Sequence, residues 1–289
     1  MINFQSNSNS QLLKNPDIEP KTETERIVGF IRNTVKKAEF EKVVVAVSGG
    51  VDSGTVLALC VMALGKKNVI AIKLPFGELN RKASGDANLI IRKFDLPKEN
   101  IVEIDIKSVV DLIKTQNKNF STNQNREIYS KKDLIRHGNL MARTRMIYLY
   151  DLAKKEQTLV VGTENKSEYL LGYFTRFGDE ASDLEPVRHL YKTEIRKLAK
   201  HLGVPKKVID KEPTAGLWEG QSDEQELGFS YEEADAVLFL RFEKKLEWRE
   251  IELKITNNEL DIRKEVLIRI RERVEKNHFK HLVPYSLNS

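Results

Sequence analysis

The sequence predicts an α/β chain: a doubly wound, mostly parallel sheet with helices on both faces, followed by C-terminal helices. Three observations predict it. Short β-branched runs alternate with helical patterns through the first two thirds of the chain. The first run, "KVVVAV", gives way to "SGGVDS" before an apolar stretch of helix length. Beyond residue 231 the chain is densely charged, with apolar residues at helical spacing.

Each element follows in order. Residues 1–20, rich in Asn, Ser and Gln, are expected to form a flexible tail ahead of a single domain over 21–289. A helix is expected over 24–40, where Ile27, Val28, Phe30, Ile31 and Val35 share one face. "KVVVAV" reads as a buried strand. Residues 54–64 read as a helix closed by Gly65. "NVIAIKLP" is a second strand and "RKASGDANLIIRKFDL" a helix. "NIVEIDI" is a third, alternating strand. "LIRHGNLMARTRMIYLYDLAKKE" is a long helix, "TLVVGT" a fourth strand, and "TEIRKLAKHLGVP" a helix ending at Gly203 and Pro205. Residues 211–229 hold Pro213, Gly216, Gly220 and Gly228 among acidic side chains, which predicts a long loop of the kind that serves as a lid. The C-terminal part, about 231–283, reads as a helical subdomain or a partner-facing helix pair.

Composition narrows the function classes. Hydrophobic residues make up 40% of 289, enough for a sizeable core. The net charge of +5 is a small excess of 48 basic over 43 acidic side chains. It suits a few anion-binding lysines and arginines, and no nucleic-acid partner is expected. The single cysteine, Cys60, lies in an apolar helical run, so it reads as packing; no internal disulfide can form, and a cytoplasmic setting is expected. No basic start precedes an apolar run, so no signal peptide is expected. The apolar stretch 43–65 is interrupted by a Gly-Gly pair and Asp52, which argues against a membrane span.

The break in that stretch carries chemistry. Strand, tight loop and helix follow one another, and a helix N-terminus favours an anion. Gly49 and Gly50 let the backbone turn sharply and approach a ligand. Ser48 and Ser53 add hydroxyls. Asp52 beside a polyphosphate would be repelled unless a divalent cation lay between them, so it reads as a magnesium ligand. The loop lacks the lysine of a Walker A motif. An ordinary strand–helix turn with Asp or Ser as helix cap is the plain alternative.

"SGGVDS" resembles the pyrophosphate-binding loop of the N-type ATP pyrophosphatases. Three further stretches are similar to the ammonia-dependent NAD synthetases within that group: "GNLMARTRM", "GTENKSEYLLGYFTRFGDEASDLEPVRHLYKTEIRKLAKHLGVP" and "EPTAGLWEGQSDEQELGFSYEEAD". The resemblance implies an adenine nucleotide alpha hydrolase-like fold. It also implies conversion of deamido-NAD, ATP and ammonia into NAD, AMP and pyrophosphate through a nicotinate acyl-adenylate. It places ATP on Ala46, Val47, Ser48, Gly49, Gly50, Val51, Asp52, Ser53, Thr163, Lys192 and Thr214. It places magnesium on Asp52 and Glu168, although Glu168 alone also reads as a helix N-terminal acid. It places deamido-NAD on Arg143, Arg176, Asp183, Phe279 and Lys280, and a homodimer around that site. Asp52, Lys192 and Asp179 are the expected catalytic residues, with Asp179 facing the reacting carboxylate or the ammonia.

Some positions depart from the family pattern. Arg176 stands where lysine is common, and Phe279 where histidine is, with His278 and His281 nearby. Arg145 lies about 200° around the helix from Arg143, so it is expected to do a different job, as a surface salt bridge. Residues 74–88 match loosely and are expected to form a mobile loop over the site. Residues 212–225 are expected to form a lid, with Trp218 as its apolar seal or as a core residue. No glutaminase nucleophile is visible, so free ammonia or a separate subunit would supply nitrogen. The alternatives are another ATP pyrophosphatase, such as a tRNA-modifying enzyme, and a non-catalytic nucleotide-binding relative.

Overall fold

The structure is a computed structural model that describes residues 16–117, 130–282 and 285–287. Most of the expected tail, residues 1–15, lies outside the described residues. Among the described residues four strands pair in parallel: β1 (Lys42–Ala46), β2 (Val69–Lys73), β3 (Ile101–Glu103) and β4 (Thr158–Val161). Their order is β3-β2-β1-β4, with Val44 opposite both Ile70 and Val160. The chain therefore runs outward from β1 on one side and returns to its other side at β4. That reversal opens a crevice at the carboxyl ends of β1 and β4.

Helices cover both faces, which is why β1 is apolar at consecutive positions rather than alternate ones. Val43 and Val45 point into a core shared with α1 (Pro20–Lys37), α2 (Val51–Leu64) and α7 (Lys192–His201). Val44 points the other way, into a core with Ile70, Val160 and the residues Met141, Leu149 and Leu152 of α5 (Lys131–Glu156). α3 (Arg81–Lys93) and α4 (Lys107–Asn117) follow β2 and β3. α6 (Lys166–Leu171) follows β4, and the one-turn α8 (Lys206–Ile209) follows α7. The C-terminal helices bury a core of their own. α9 (Asp223–Leu227), α10 (Tyr231–Leu238), α11 (Trp248–Thr256) and α12 (Lys264–Asn277) enclose Tyr231, Val237, Leu238, Ile251, Leu267 and Ile270.

Several boundaries differ from the sequence expectation, each for a local reason. α1 starts at Pro20 rather than residue 24, because the Glu19 carboxylate accepts from the Lys21 and Thr22 amides and proline suits the first turn. α2 starts at Val51, so Val51, Asp52 and Ser53 form its first turn instead of extending the loop. β3 is three residues long, although Ile104 and Ile106 amides still bond to the Lys73 and Pro75 carbonyls. The expected loop 211–229 contains α9. Gly65 closes α2 at φ 79°, as a C-cap glycine should. Cys60 is fully buried in α2, and burial pushes its thiol up to about 12. No helix among the described residues is long and apolar enough to cross a membrane.

Candidate active site

A cavity of about 820 Å³ opens at the crevice between β1 and β4. Its floor is the turn from β1 into α2. Gly50 caps α2 without a side chain. Ser48 and Ser53 lock the turn: their hydroxyls are 3.1 Å apart, the Gly50 amide donates to Ser48 Oγ, and Ser53 Oγ donates to the Gly50 carbonyl. The two glycines differ in role. Gly49 has φ +83°, and a Cβ there would lie 2.3 Å from the Ala83 carbonyl oxygen of α3. Gly50 has φ −91°, and its Cβ would approach only Ser48 Oγ, at 3.4 Å. Gly49 thus serves the packing of the loop under α3, and Gly50 leaves the helix N-terminus open to an anion.

Three charged side chains meet beside this turn. Lys192, at the first position of α7, is 3% exposed and sends Nζ 2.6 Å to Asp52 Oδ2 and 3.1 Å to Glu168 Oε1. Asn165 organises both acids. Its Nδ2 donates to Asp52 Oδ1 at 2.9 Å, and its Oδ1 caps α6 by accepting from the Glu168 amide. Glu168 completes the capping box through Oε2, so the helix-capping and site readings of this residue are both realised, on different oxygens. Burial alone would lower the Lys192 ammonium, but Asp52 and Glu168 outweigh it and hold the lysine charged, above its ordinary value. Burial pushes the Glu168 carboxyl up; Lys192 pulls it back and Asp52 pushes it up again, for a net rise. The Tyr231 ring lies 5.1 Å from Lys192 Nζ, and Tyr231 and Tyr173 hydroxyls both reach Asp223.

The other predicted residues fall into two groups, with Asp183 apart from both. Thr163, Asp179, Thr214 and Lys280 line the cavity with the loop residues. Asp179 opens onto it but is walled in closely enough that burial raises its carboxyl above the ordinary range, against hydrogen bonds that include the Thr175 amide at 3.0 Å. Lys280 donates to the Gly172 and Phe174 carbonyls at 2.6 and 2.7 Å. Arg143, Arg176 and Phe279 form a separate patch. Arg143 donates twice to the Arg176 carbonyl at 3.2 Å, and the Arg176 guanidinium lies between the rings of Phe177 and Phe279, at 5.3 and 5.5 Å. Asp183 is exposed and bonds to the Val160 amide of β4 at 2.7 Å, away from the cavity lining.

Some site residues were given another role from the sequence or were not singled out. Arg145 is the clearest correction: it makes no surface salt bridge. It is half-buried, donates to the Leu74 carbonyl and Asn80 Oδ1 at 3.0 Å, and lines the cavity; burial lowers it to about 10, so it stays charged. Trp218 is half-buried and faces the cavity, so it is not a core residue. Arg269, Arg273 and Lys276 join Lys280 along one side of the cavity, at helical spacing on and just beyond α12. Behind β4, Glu164 is buried with Arg188 Nε at 3.1 Å, and burial pushes it up to about 9. Asn165, beside Asp52 and Glu168, was not singled out either, although it carried a visible signal: Asn and Glu three apart in "NKSE" is a capping-box spacing.

Asp52 and Glu168 suit a hard cation. Oδ1 of Asp52 and Oε2 of Glu168 are engaged by Asn165, while Oδ2 and Oε1 converge on one point, now shared with Lys192. Among the described residues no third His, Cys, Asp or Glu joins them, so phosphate oxygens and water would complete the shell.

Comparison with known proteins identifies the family. Residues 23–284 match the family model described as NAD synthase. The chain is 41% identical over 255 residues to an NH(3)-dependent NAD(+) synthetase of Chlorobium phaeobacteroides, covering 88% of this chain and 84% of that one. Among solved structures it is similar to an NMN synthetase from Francisella tularensis, with TM-score 0.78 and 29% identity over 94% of this chain and all of that one. It is also similar to an NH3-dependent NAD synthetase from Campylobacter jejuni, with TM-score 0.72 and 30% identity over 93% and 99%.

Proposed function

The chain belongs to the NAD synthase family, and from that premise we propose that it amidates deamido-NAD with ammonia at the expense of ATP, giving NAD, AMP and pyrophosphate. It is a ligase that forms a carbon–nitrogen bond. The observation that carries the reading is the meeting of Asp52, Glu168 and Lys192 beside the "SGGVDS" turn at the switch point of the sheet.

Two half-steps suit the residues present. In the first, the nicotinate carboxylate attacks the α-phosphate of ATP. The α2 N-terminus and the Ser48 and Ser53 hydroxyls hold the departing phosphates, and Lys192 balances the charge that gathers on them. Magnesium bound by Asp52 and Glu168 would supply further charge neutralisation between the phosphates. In the second, ammonia attacks the acyl carbon and AMP departs. Asp179 is the group we assign to take the proton, since its raised affinity brings it closer to working pH. Thr163 and Thr214 contact ATP. Arg143, Arg176, Asp183, Phe279 and Lys280 serve the dinucleotide. The exposed Ile147 on α5 supports a homodimer contact, and the setting we assign is cytoplasmic.

The test is turnover of deamido-NAD with ATP and magnesium, comparing ammonium with glutamine, with Asp52→Ala beside the wild type. NAD from ammonium alone, falling by about 10²–10³-fold or more in the variant, is expected. The likeness to an NMN synthetase makes the mononucleotide analogue of deamido-NAD the second acceptor to run. No amidated product from either acceptor, with ATP still bound, would sink the proposal.

A further inference from the structure

Lys192 and Glu168 reach the cavity from the first turns of two different helices, and the backbone behind them is joined by a buried polar chain. Ser167 of α6 and Asp235 of α10 are both 0% exposed. Ser167 Oγ donates to Asp235 Oδ1 and accepts from the Lys192 amide at 2.9 Å. The other carboxylate oxygen, Asp235 Oδ2, accepts from the Thr193 amide at 2.9 Å. Tyr191 caps α7 without a side-chain hydrogen bond of its own. These two amides at the start of the helix are therefore satisfied from α6 and α10. Neither Ser167 nor Asp235 lines the cavity.

A serine or aspartate at the cap position of α7 itself would serve those amides more simply. Asp235 instead sits among Ala234, Val237 and Leu238 in the core of the C-terminal helices, where a carboxylate is costly unless its bonds are made. Burial pushes its carboxyl up to about 6, so at neutral pH it is largely ionised and accepts from both donors. What the remote position adds is a link among three helices. Ser167 precedes Glu168, and Thr193 follows Lys192. The chain through Ser167 and Asp235 thus fixes the two backbone segments from which the charged side chains project. With them it fixes the 3.1 Å contact between Lys192 Nζ and Glu168 Oε1.

We propose that Asp235 and Ser167 are positioning residues for the adenylation step: from behind the cavity they set the register of α6 against α7, and so hold Lys192 and Glu168 where pyrophosphate departs. This rests on the adenylating reaction proposed above. A misplacement of about 1 Å at such a pair is enough to cost on the order of 10²-fold in rate. Asp235 touches no substrate and acts through the two side chains it places.

The experiment is a double-mutant cycle in the full chain, read as kcat and KM per folded molecule at saturating ATP, magnesium and ammonium. Ser167→Ala removes the link between α6 and α7 and leaves the bond from the Thr193 amide to Asp235. Asp235→Asn keeps an acceptor for that amide and loses the charge. Each is expected to lower kcat about tenfold or more, with KM for deamido-NAD within about twofold of wild type. Made in a Lys192→Met background, Ser167→Ala is expected to cost less than about twofold further, because the side chain it positions is gone. Radiolabelled deamido-NAD keeps that slow background readable; should it make no NAD at all, the kcat and KM of Ser167→Ala decide the matter. Should Asp235→Asn fail to fold, Ser167→Ala stands for both. A merely structural role would lower the melting temperature and leave kcat per folded molecule as in wild type. That outcome, or the same fold-loss in both backgrounds, overturns the positioning role alone; a wild type that makes no NAD overturns the reaction and the positioning role with it.

Discussion

Replacing Lys192 with Met would separate its electrostatic role from its packing. The side chain is 4% exposed and its Nζ sits 2.6 Å from Asp52 and 3.1 Å from Glu168, whose side chains are 16% and 19% exposed. Methionine fills similar space and leaves the two carboxylates facing each other. Removing one partner from a buried pair costs about 3–5 kcal/mol, which for a chain of this size is a fall of roughly 6–10 °C in melting temperature. The deficit depends on pH with a definite sign. Without the lysine that pulls it down, the Glu168 carboxyl gains proton affinity in the folded state, so its protonated form favours folding and its ionised form opposes it. The deficit should therefore be small near pH 5 and grow as pH rises through 8. Thermal unfolding without nucleotide, at pH 5, 7 and 8.5, reads it directly. Turnover should fall by about 10²–10³-fold if the ammonium also stabilises departing pyrophosphate. A melting deficit equal at all three pH values would refute the electrostatic reasoning, because lost packing does not titrate.

Two further perturbations test other parts of the site. Gly49→Ala places a Cβ 2.3 Å from a backbone oxygen at φ +83°, so it should cost about 2 kcal/mol and weaken ATP binding; Gly50→Ala, at φ −91°, should fold like wild type, and chemical denaturation with nucleotide titration compares the pair. Glu164 is pushed up to about 9 from 4.5, so its contribution to stability is complete below pH 4.5 and lost as pH rises through 9. Glu164→Gln should match wild type near pH 5 and exceed it by about 1–3 kcal/mol at pH 9 in urea unfolding. Curves that stay parallel across that range would remove Glu164 as the source.

What was legible in the sequence follows from what local pattern encodes. Val43, Val44 and Val45 are buried from both sides, and a continuous β-branched run predicts that. The same logic exposed "SGGVDS", because two glycines and an acid interrupt an apolar run only for a reason. The start of α2 at Val51 was hidden because Gly50 caps with bare backbone and leaves no side-chain signature. Arg145 was misread because a helical angle gives the separation from Arg143 but not which side meets the cavity. That choice is made by Asn80 and Leu74, about seventy residues away in sequence. Asp223 and Tyr173 escaped for the same reason: they are fifty residues apart and meet only in the fold. Lys192, Glu168 and Thr163 were named through family resemblance, and the fold brings all three to the cavity lining. Asp183 was named the same way, and its carboxylate is spent on the Val160 amide of β4.

The single thiol of this chain is sealed inside α2, fully buried and with its proton held up to about 12. Thiolate is the species that attacks a maleimide or a thiol-reactive nitroxide label, and Cys60 offers almost none at neutral pH. The chain is thus chemically silent toward such reagents as it stands. One cysteine introduced at an exposed position, at Glu219 in the 211–222 segment for example, would be a unique address for a spin label or fluorophore. The surroundings of the 211–222 segment, with and without nucleotide, could then be compared by spectroscopy in an otherwise unaltered protein.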